Sequence, residues 1–129
     1  MRRVILDTNF LLIPYIFHVD IFSEINRLLH EKYELMVLDL TVMELNKIMC
    51  EQKGKDKDAA KMAIALIKDK KISIIQTNSD ILADKYLIEN CCKEDIVATQ
   101  DMELKRALRE KNINIIILRK KKYLNMVEI

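Results

Sequence analysis

The strongest constraint on how this chain can fold is a rhythm. Short runs that are apolar at nearly every position recur along it, at residues 4–6, 35–38, 72–75, 96–98 and 113–117, broken only by Ser73 and Asn114. Longer stretches with helical spacing separate them. A strand apolar on both sides is buried on both sides, which is what a parallel sheet covered by helices demands. Residues 20–30 place Ile21, Phe22, Ile25, Leu28 and Leu29 on one helical face. A second helix is expected from Thr41 to about residue 50, with Glu44 at the capping-box position. Further helices are expected at 56–69, 80–91 and 102–111, and the only glycine sits in a break at 52–57. Strands alternating with helices predict a three-layer α/β/α fold around a central five-stranded parallel sheet. No repeat or second domain is visible in residues 1–129, and residues 119–129 read as a basic C-terminal segment.

Composition narrows the chemistry. Half of the 129 residues are apolar, enough for a core without staples. The three cysteines, Cys50, Cys91 and Cys92, are odd in number and form no C-x-x-C motif. That excludes a disulfide framework and a cysteine zinc site, and fits a reducing, cytoplasmic setting. Two histidines leave little room for histidine catalysis. No run approaches the ~18 apolar residues of a membrane span. Arg2 and Arg3 before an apolar stretch imitate a signal peptide, but Asp7 and Asn9 interrupt the stretch, so the N-terminus reads as mature protein. Lysine and arginine (22) nearly balance aspartate and glutamate (20), yet residues 103–129 carry eight basic against three acidic residues. A basic end on an acidic body points to a polyanionic partner.

In such sheets the site lies beyond the carboxyl ends of the strands. The first run ends in Asp7-Thr8-Asn9, the second in Asp39, the third in Thr77-Asn78 and the fourth in Thr99-Gln100-Asp101. Asp7 is wedged between two apolar segments, where a carboxylate costs desolvation energy unless paired or metal-bound. Asp84 shares the stripe of Ile81, Leu87, Ile88 and Cys91, so it faces the protein body. Glu44 sits one turn into a helix that starts at the carboxyl edge of the second strand; Asp101 begins the last helix, where capping is the competing role. Asp39 and Asp80 read as ordinary helix-start residues. Carboxylates converging on one edge repel one another, and a divalent cation resolves that. Oxygen donors without nearby His or Cys suit Mg²⁺ or Mn²⁺.

The segments Leu6-Asp7-Thr8-Asn9-Phe10-Leu11-Leu12, Val42-Met43-Glu44-Leu45, Asp84 with Leu87 and Ile88, and Val97-Ala98-Thr99-Gln100-Asp101 resemble, in order, the PIN domain family. The nearer likeness is to stand-alone archaeal PIN proteins related to rRNA-processing PIN nucleases, with VapC-type toxins more distant. The resemblance implies an endoribonuclease that hydrolyses single-stranded RNA with Mg²⁺ or Mn²⁺. Asp7, Glu44, Asp84 and Asp101 match the family's acidic, metal-holding positions, and Asn9 and Thr99 its supporting polar ones. Processing-type members often carry an aspartate doublet where this chain reads Ala83-Asp84-Lys85; Asp84 is taken as the third acid.

Lys105, Arg106 and Arg109 share one helix just after Asp101, within reach of RNA phosphates, and Lys120, Lys121 and Lys122 form a second basic group. Such contacts add affinity without sequence information. Two alternatives stay open. A VapC-type toxin would have an antitoxin partner, and a catalytically weak PIN scaffold would bind RNA without turnover. A homodimer is the expected assembly and a membrane is not an expected partner. A phospho-acceptor receiver fold is disfavoured, because the third strand ends in Thr77-Asn78 rather than an aspartate.

Overall fold

A computed structural model describes residues 1–128. The chain runs β1 (Arg2–Leu6), a 3₁₀ turn (Phe10–Leu12), α1 (Ile13–Phe17), α2 (Ile21–Leu28), β2 (Tyr33–Leu38), α3 (Asp39–Glu51) and α4 (Lys55–Asp69). It continues through β3 (Ser73–Ile75), α5 (Ala83–Asn90), β4 (Ile96–Ala98), α6 (Met102–Glu110), β5 (Asn114–Arg119) and β6 (Tyr123–Val127). The sheet order is β3-β2-β1-β4-β5-β6. The first five strands in the chain pair in parallel, as the apolar runs predict.

The central strands β1 and β4 are buried on both faces for the reason their pattern gives, whereas β3, at the edge of the sheet, leaves Ile74 43% exposed. Val4 and Leu6 of β1 pack with Phe10, Ile13, Leu45, Ala60 and Ala63 on one side of the sheet. Ile5, between them, packs with Ala83, Leu87, Val97, Leu104 and Leu108 on the other. Successive side chains of a strand alternate faces, so one apolar run feeds two cores. The helices α1, α2, α3 and α4 cover the first face, and α5 and α6 the second. Gly54 breaks α3 from α4 at φ +63, a left-handed backbone that glycine adopts without strain.

Four local features depart from the sequence pattern or add to it. First, the described part of the basic C-terminal segment, residues 119–128, is not a tail. Tyr123–Val127 pairs antiparallel with β5, adding a sixth strand, and its Leu124 is fully buried. Residue 129 lies outside the described residues. Lys120 and Lys121 form the connecting turn at φ 53 and 56, closed by the Lys122 N–H donating to the Arg119 carbonyl at 3.0 Å. Second, the apolar stretch after Asn9 folds into a 3₁₀ turn and a short helix opened by Pro14. Third, α3 begins two residues early, at Asp39, so Thr41 is not its cap. Thr41 is fully buried, and its hydroxyl is the one buried side-chain oxygen or nitrogen without a partner among the described residues. Fourth, α5 begins at Ala83, not residue 80. Asp80, Ile81 and Leu82 belong to a strap joining β3 to α5. The strap is tied down by Asp39, whose carboxylate accepts from the Thr77 hydroxyl at 2.8 Å and the Thr77 N–H at 3.2 Å.

Candidate active site

β1 and β4 are neighbours at the centre of the sheet, and the connections leave them in opposite directions. That switch point opens a crevice beyond their carboxyl ends. The Asp7 N–H donates to the Ala98 carbonyl at 2.9 Å, which brings the residue after β1 against the end of β4. Asp7 is 5% exposed. The Thr99 hydroxyl donates to its Oδ2 at 2.8 Å, and Thr99 is itself fully buried. Burial pushes the Asp7 carboxyl up to about 6; the bonds from Thr99 and the Thr8 backbone pull it down, and the charges of Glu44 and Asp101 raise it further. Among the described residues Asp7 has no cationic partner.

Glu44 comes from the second turn of α3. Its Oε1 accepts from the Thr8 hydroxyl at 2.6 Å, and its Oε2 from the Ala83 N–H at 3.1 Å. The capping box with Thr41 is therefore not formed; the carboxylate bridges the end of β1 and the start of α5. Asp101 caps α6, accepting from the Leu104 N–H at 3.0 Å, while its own N–H donates to the Thr99 hydroxyl oxygen at 3.0 Å. The capping role and the position at the crevice coexist. Asn9 fastens the loops after β1 and β4 together: its side-chain oxygen accepts from the Gln100 N–H at 3.2 Å. Asp84 sits in the first turn of α5, half-buried, beside the crevice rather than in the core.

These residues share one pocket of about 320 Å³. Asp7, Thr8, Asn9, Glu44, Asp84 and Asp101 line it together with the apolar side chains Leu12, Ile48 and Leu82. All four acids expected from the sequence reach it. Lys85 is exposed and does not line it. Ala83 is buried in the second core, where an aspartate would bury a charge, and it serves the pocket through its backbone. Among the described residues no three His, Cys, Asp or Glu side chains stand close enough to cage an ion on their own. The donors are instead all oxygen and spread around open space. That fits a hard cation that keeps part of its water shell better than a dehydrated one.

The basic residues lie to one side. Lys105, Arg106 and Arg109 line an open concavity of about 700 Å³ with Met102 and Glu110, starting one residue after Asp101. Burial and the Arg119 guanidinium push the Lys105 ammonium below the ordinary lysine value. Lys120, Lys121 and Lys122 sit at the β5–β6 turn, on the carboxyl edge two strands from β1.

Sequence reasoning missed Thr8 as a partner of Glu44; its signal was a hydroxyl directly beside Asp7. It also missed the Arg3–Asp95 pair at the opposite edge, where Arg3 Nε and Nη2 donate to the two Asp95 oxygens at 2.9 and 2.8 Å. A cation inside a buried strand was the visible sign of that pair.

Residues 4–121 match the family described as PIN like domain. The chain is 37% identical over 128 residues to Ribonuclease VapC4 of Methanocaldococcus jannaschii, covering 95% of each. It is 28% identical over 123 residues to Ribonuclease VapC9 of Archaeoglobus fulgidus, covering 95% of this chain and 87% of that one. Its fold is similar to the PIN domain endonuclease Utp24, with TM-score 0.81 at 22% identity over 98% of this chain and 92% of that one. It is less similar to a structure of VapBC2 from Rickettsia felis bound to a promoter DNA fragment, with TM-score 0.55 at 16% identity over 94% of this chain and 98% of that one.

Proposed function

The chain belongs to the PIN-like domain family, and from that premise we propose that it is an endoribonuclease hydrolysing phosphodiester bonds of single-stranded RNA in the pocket of Asp7, Glu44, Asp84 and Asp101. The observation that carries the reading is Asp7. It is a carboxylate 5% exposed, without a cation, beside a pocket lined by three further acids. A protein does not keep such a charge for stability, because buried charges are otherwise paired. Asp7, Glu44, Asp84 and Asp101 would hold Mg²⁺ or Mn²⁺. When bound, that cation would supply charge neutralisation at the phosphate and lower the pKa of a water molecule, so that its deprotonated form attacks.

The chain's own groups do the positioning. Thr99 holds Asp7 from one side and the Asp101 backbone from the other. Thr8 and the Ala83 N–H fix both oxygens of Glu44. Asn9 keeps the two loops in register. Lys105, Arg106 and Arg109 take the phosphates that follow the cut strand over α6, and Lys120, Lys121 and Lys122 extend that path along the edge.

Ribosomal-RNA processing in the cytoplasm is one biological reading, supported by the aspartate-ended strands and the basic α6. A VapC-type toxin with an antitoxin partner is the second, supported by 37% identity to Ribonuclease VapC4. The activity is tested by incubating single-stranded RNA with the protein in chelator, in Mg²⁺ and in Mn²⁺, beside Asp7→Asn. Cleavage is expected only with metal and only with the unsubstituted chain. Equal cutting by Asp7→Asn would remove the assignment. Growth arrest on induction, relieved by Asp7→Asn, separates the toxin from the processing enzyme.

A further inference from the structure

The carboxyl edge is polarised, and one side of it has no role in hydrolysis. Next to the acid pocket, on the β2–β3 side, is a second cleft of about 250 Å³. Leu40, Met43, Ile81 and Leu82 give it apolar walls, and Lys47 and Asp80 stand at its margin. It adjoins the acid pocket, since Glu44 and Leu82 line both. Met43 and Leu82 remain 62% and 59% exposed. Two large apolar side chains held open beside a row of carboxylates are not explained by the fold, since neither contributes to either core.

Charge selects the occupant. Two carboxylates, Glu44 and Asp80, face one ammonium, Lys47, so the cleft repels phosphate and acidic peptide. A neutral, flat, partly apolar group is not repelled. Across the acid pocket the opposite holds: Lys105, Arg106 and Arg109 outnumber Glu110 around the α6 concavity. A nucleotide lying over the carboxylates therefore has its phosphates drawn toward α6 and its base toward Met43 and Leu82. Resting on the ribonuclease reading above, we infer that this cleft is a nucleobase subsite. It holds the base next to the scissile phosphate between Met43 and Leu82, as apolar side chains hold unstacked bases elsewhere. Asp80 accepts from an amino or imino edge and Lys47 donates to a carbonyl or ring nitrogen, so the pair biases which base is held.

The test uses the full chain with Mn²⁺ and a set of RNAs, each with one abasic position scanned across the cut site. One abasic position beside the cut is expected to raise KM by about tenfold, the lower range for losing a stacked base. Met43→Ser/Leu82→Ser is expected to raise KM on intact RNA by the same factor and to be indifferent to that abasic position. Both side chains are exposed, so melting should be unchanged. Unaltered KM and cut sites in the variant, or abasic and variant effects that multiply, would overturn the subsite while leaving the nuclease reading intact. If the chain cuts no RNA, methyl NMR with adenosine, guanosine, cytidine and uridine still decides. Nucleoside-dependent shifts at Met43 and Leu82 support the subsite. No shifts, or shifts that follow protein dilution without nucleoside and so mark a second copy, end it.

Discussion

Two aspartates at opposite ends of the same two strands are buried almost equally, Asp7 at 5% and Asp95 at 3% exposed, and they are treated in opposite ways. Asp95, just before β4, receives both donors of the Arg3 fork and the Cys92 N–H at 2.9 Å. Asp7, just after β1, receives a hydroxyl from Thr99 and faces Glu44 and Asp101. The amino edge supplies its carboxylate with a fixed cation; the carboxyl edge withholds one. A buried charge stabilises a fold only when it is paired. The lack of a cationic side chain at Asp7 among the described residues is thus a cost to folding, and the proposed Mg²⁺ or Mn²⁺ would offset it.

The largest test of that contrast is activity. Asp7→Asn keeps an oxygen to accept from Thr99 but loses the charge. Metal-dependent RNA cleavage is expected to fall on the order of 10³-fold, which is the several kcal/mol a metal supplies to a transition state. Asp95→Asn should cut at the unsubstituted rate at temperatures where it is folded. Initial rates on one labelled RNA compare the two. If Asp95→Asn loses as much activity as Asp7→Asn, the edges are not functionally distinct.

Next in size is pH. The Asp7 pKa is raised in the folded state to about 6 from an ordinary 3.8. Between those values the folded chain binds a proton that the unfolded chain has released. Stability from this group is therefore full below about pH 4 and is lost as pH rises through about 6, by up to about 3 kcal/mol. In metal-free buffer, denaturant unfolding should show Asp7→Asn pulling ahead of the unsubstituted chain across that window and holding its lead above it. Saturating Mn²⁺ should narrow the lead by binding the ionised, folded form. A constant difference from pH 4 to 7 would mean Asp7 does not titrate as its burial requires.

Smaller again is the clamp. Removing one partner of a buried pair costs up to about 5 kcal/mol, but the Arg3 side chain is 39% exposed and can turn to water. Asp95→Asn is expected to lower stability by about 2 kcal/mol, read by the same unfolding experiment, with no dependence on Mn²⁺.

How far this contrast was legible before folding differs by edge. Strands buried on both faces announce themselves, because every position must be apolar, and the acids that end them are then found by position. Asp7 and Asp101 were reachable this way, Asp84 from its place in a helical stripe, and Glu44 from a helix that starts at the carboxyl edge together with the family likeness. Helix starts were less legible. Thr41 and Asp80 look like caps, yet α3 starts at Asp39, which ties the strap through Thr77, and α5 starts at Ala83, whose N–H is taken by Glu44. Tertiary partners decided those ends, and local propensity does not contain them. Asp95 was invisible for the same reason: it sits among Lys93 and Glu94 in an outwardly polar turn, and its partner is 92 residues away. The last strand was hidden by its turn, because three consecutive lysines read as tail.

That turn carries the smallest expected effect and also tests the cationic side of the edge. Lys120 and Lys121 both adopt φ near +55, the two central positions of a turn that favours Asn-Gly. Side chains with a Cβ are strained there, so Lys120→Asn/Lys121→Gly should stabilise the hairpin by about 1 kcal/mol. Lysines kept at strained positions need a reason outside folding. If the turn touches the RNA backbone, the stabilised variant should bind RNA more weakly, with a salt slope reduced by up to about 2. Lys105→Ala/Arg106→Ala/Arg109→Ala should reduce that slope by up to about 3 without stabilising anything. A turn variant that gains stability and keeps the full slope would confine RNA binding to α6, and the strain at Lys120 and Lys121 would then have no counterpart in binding.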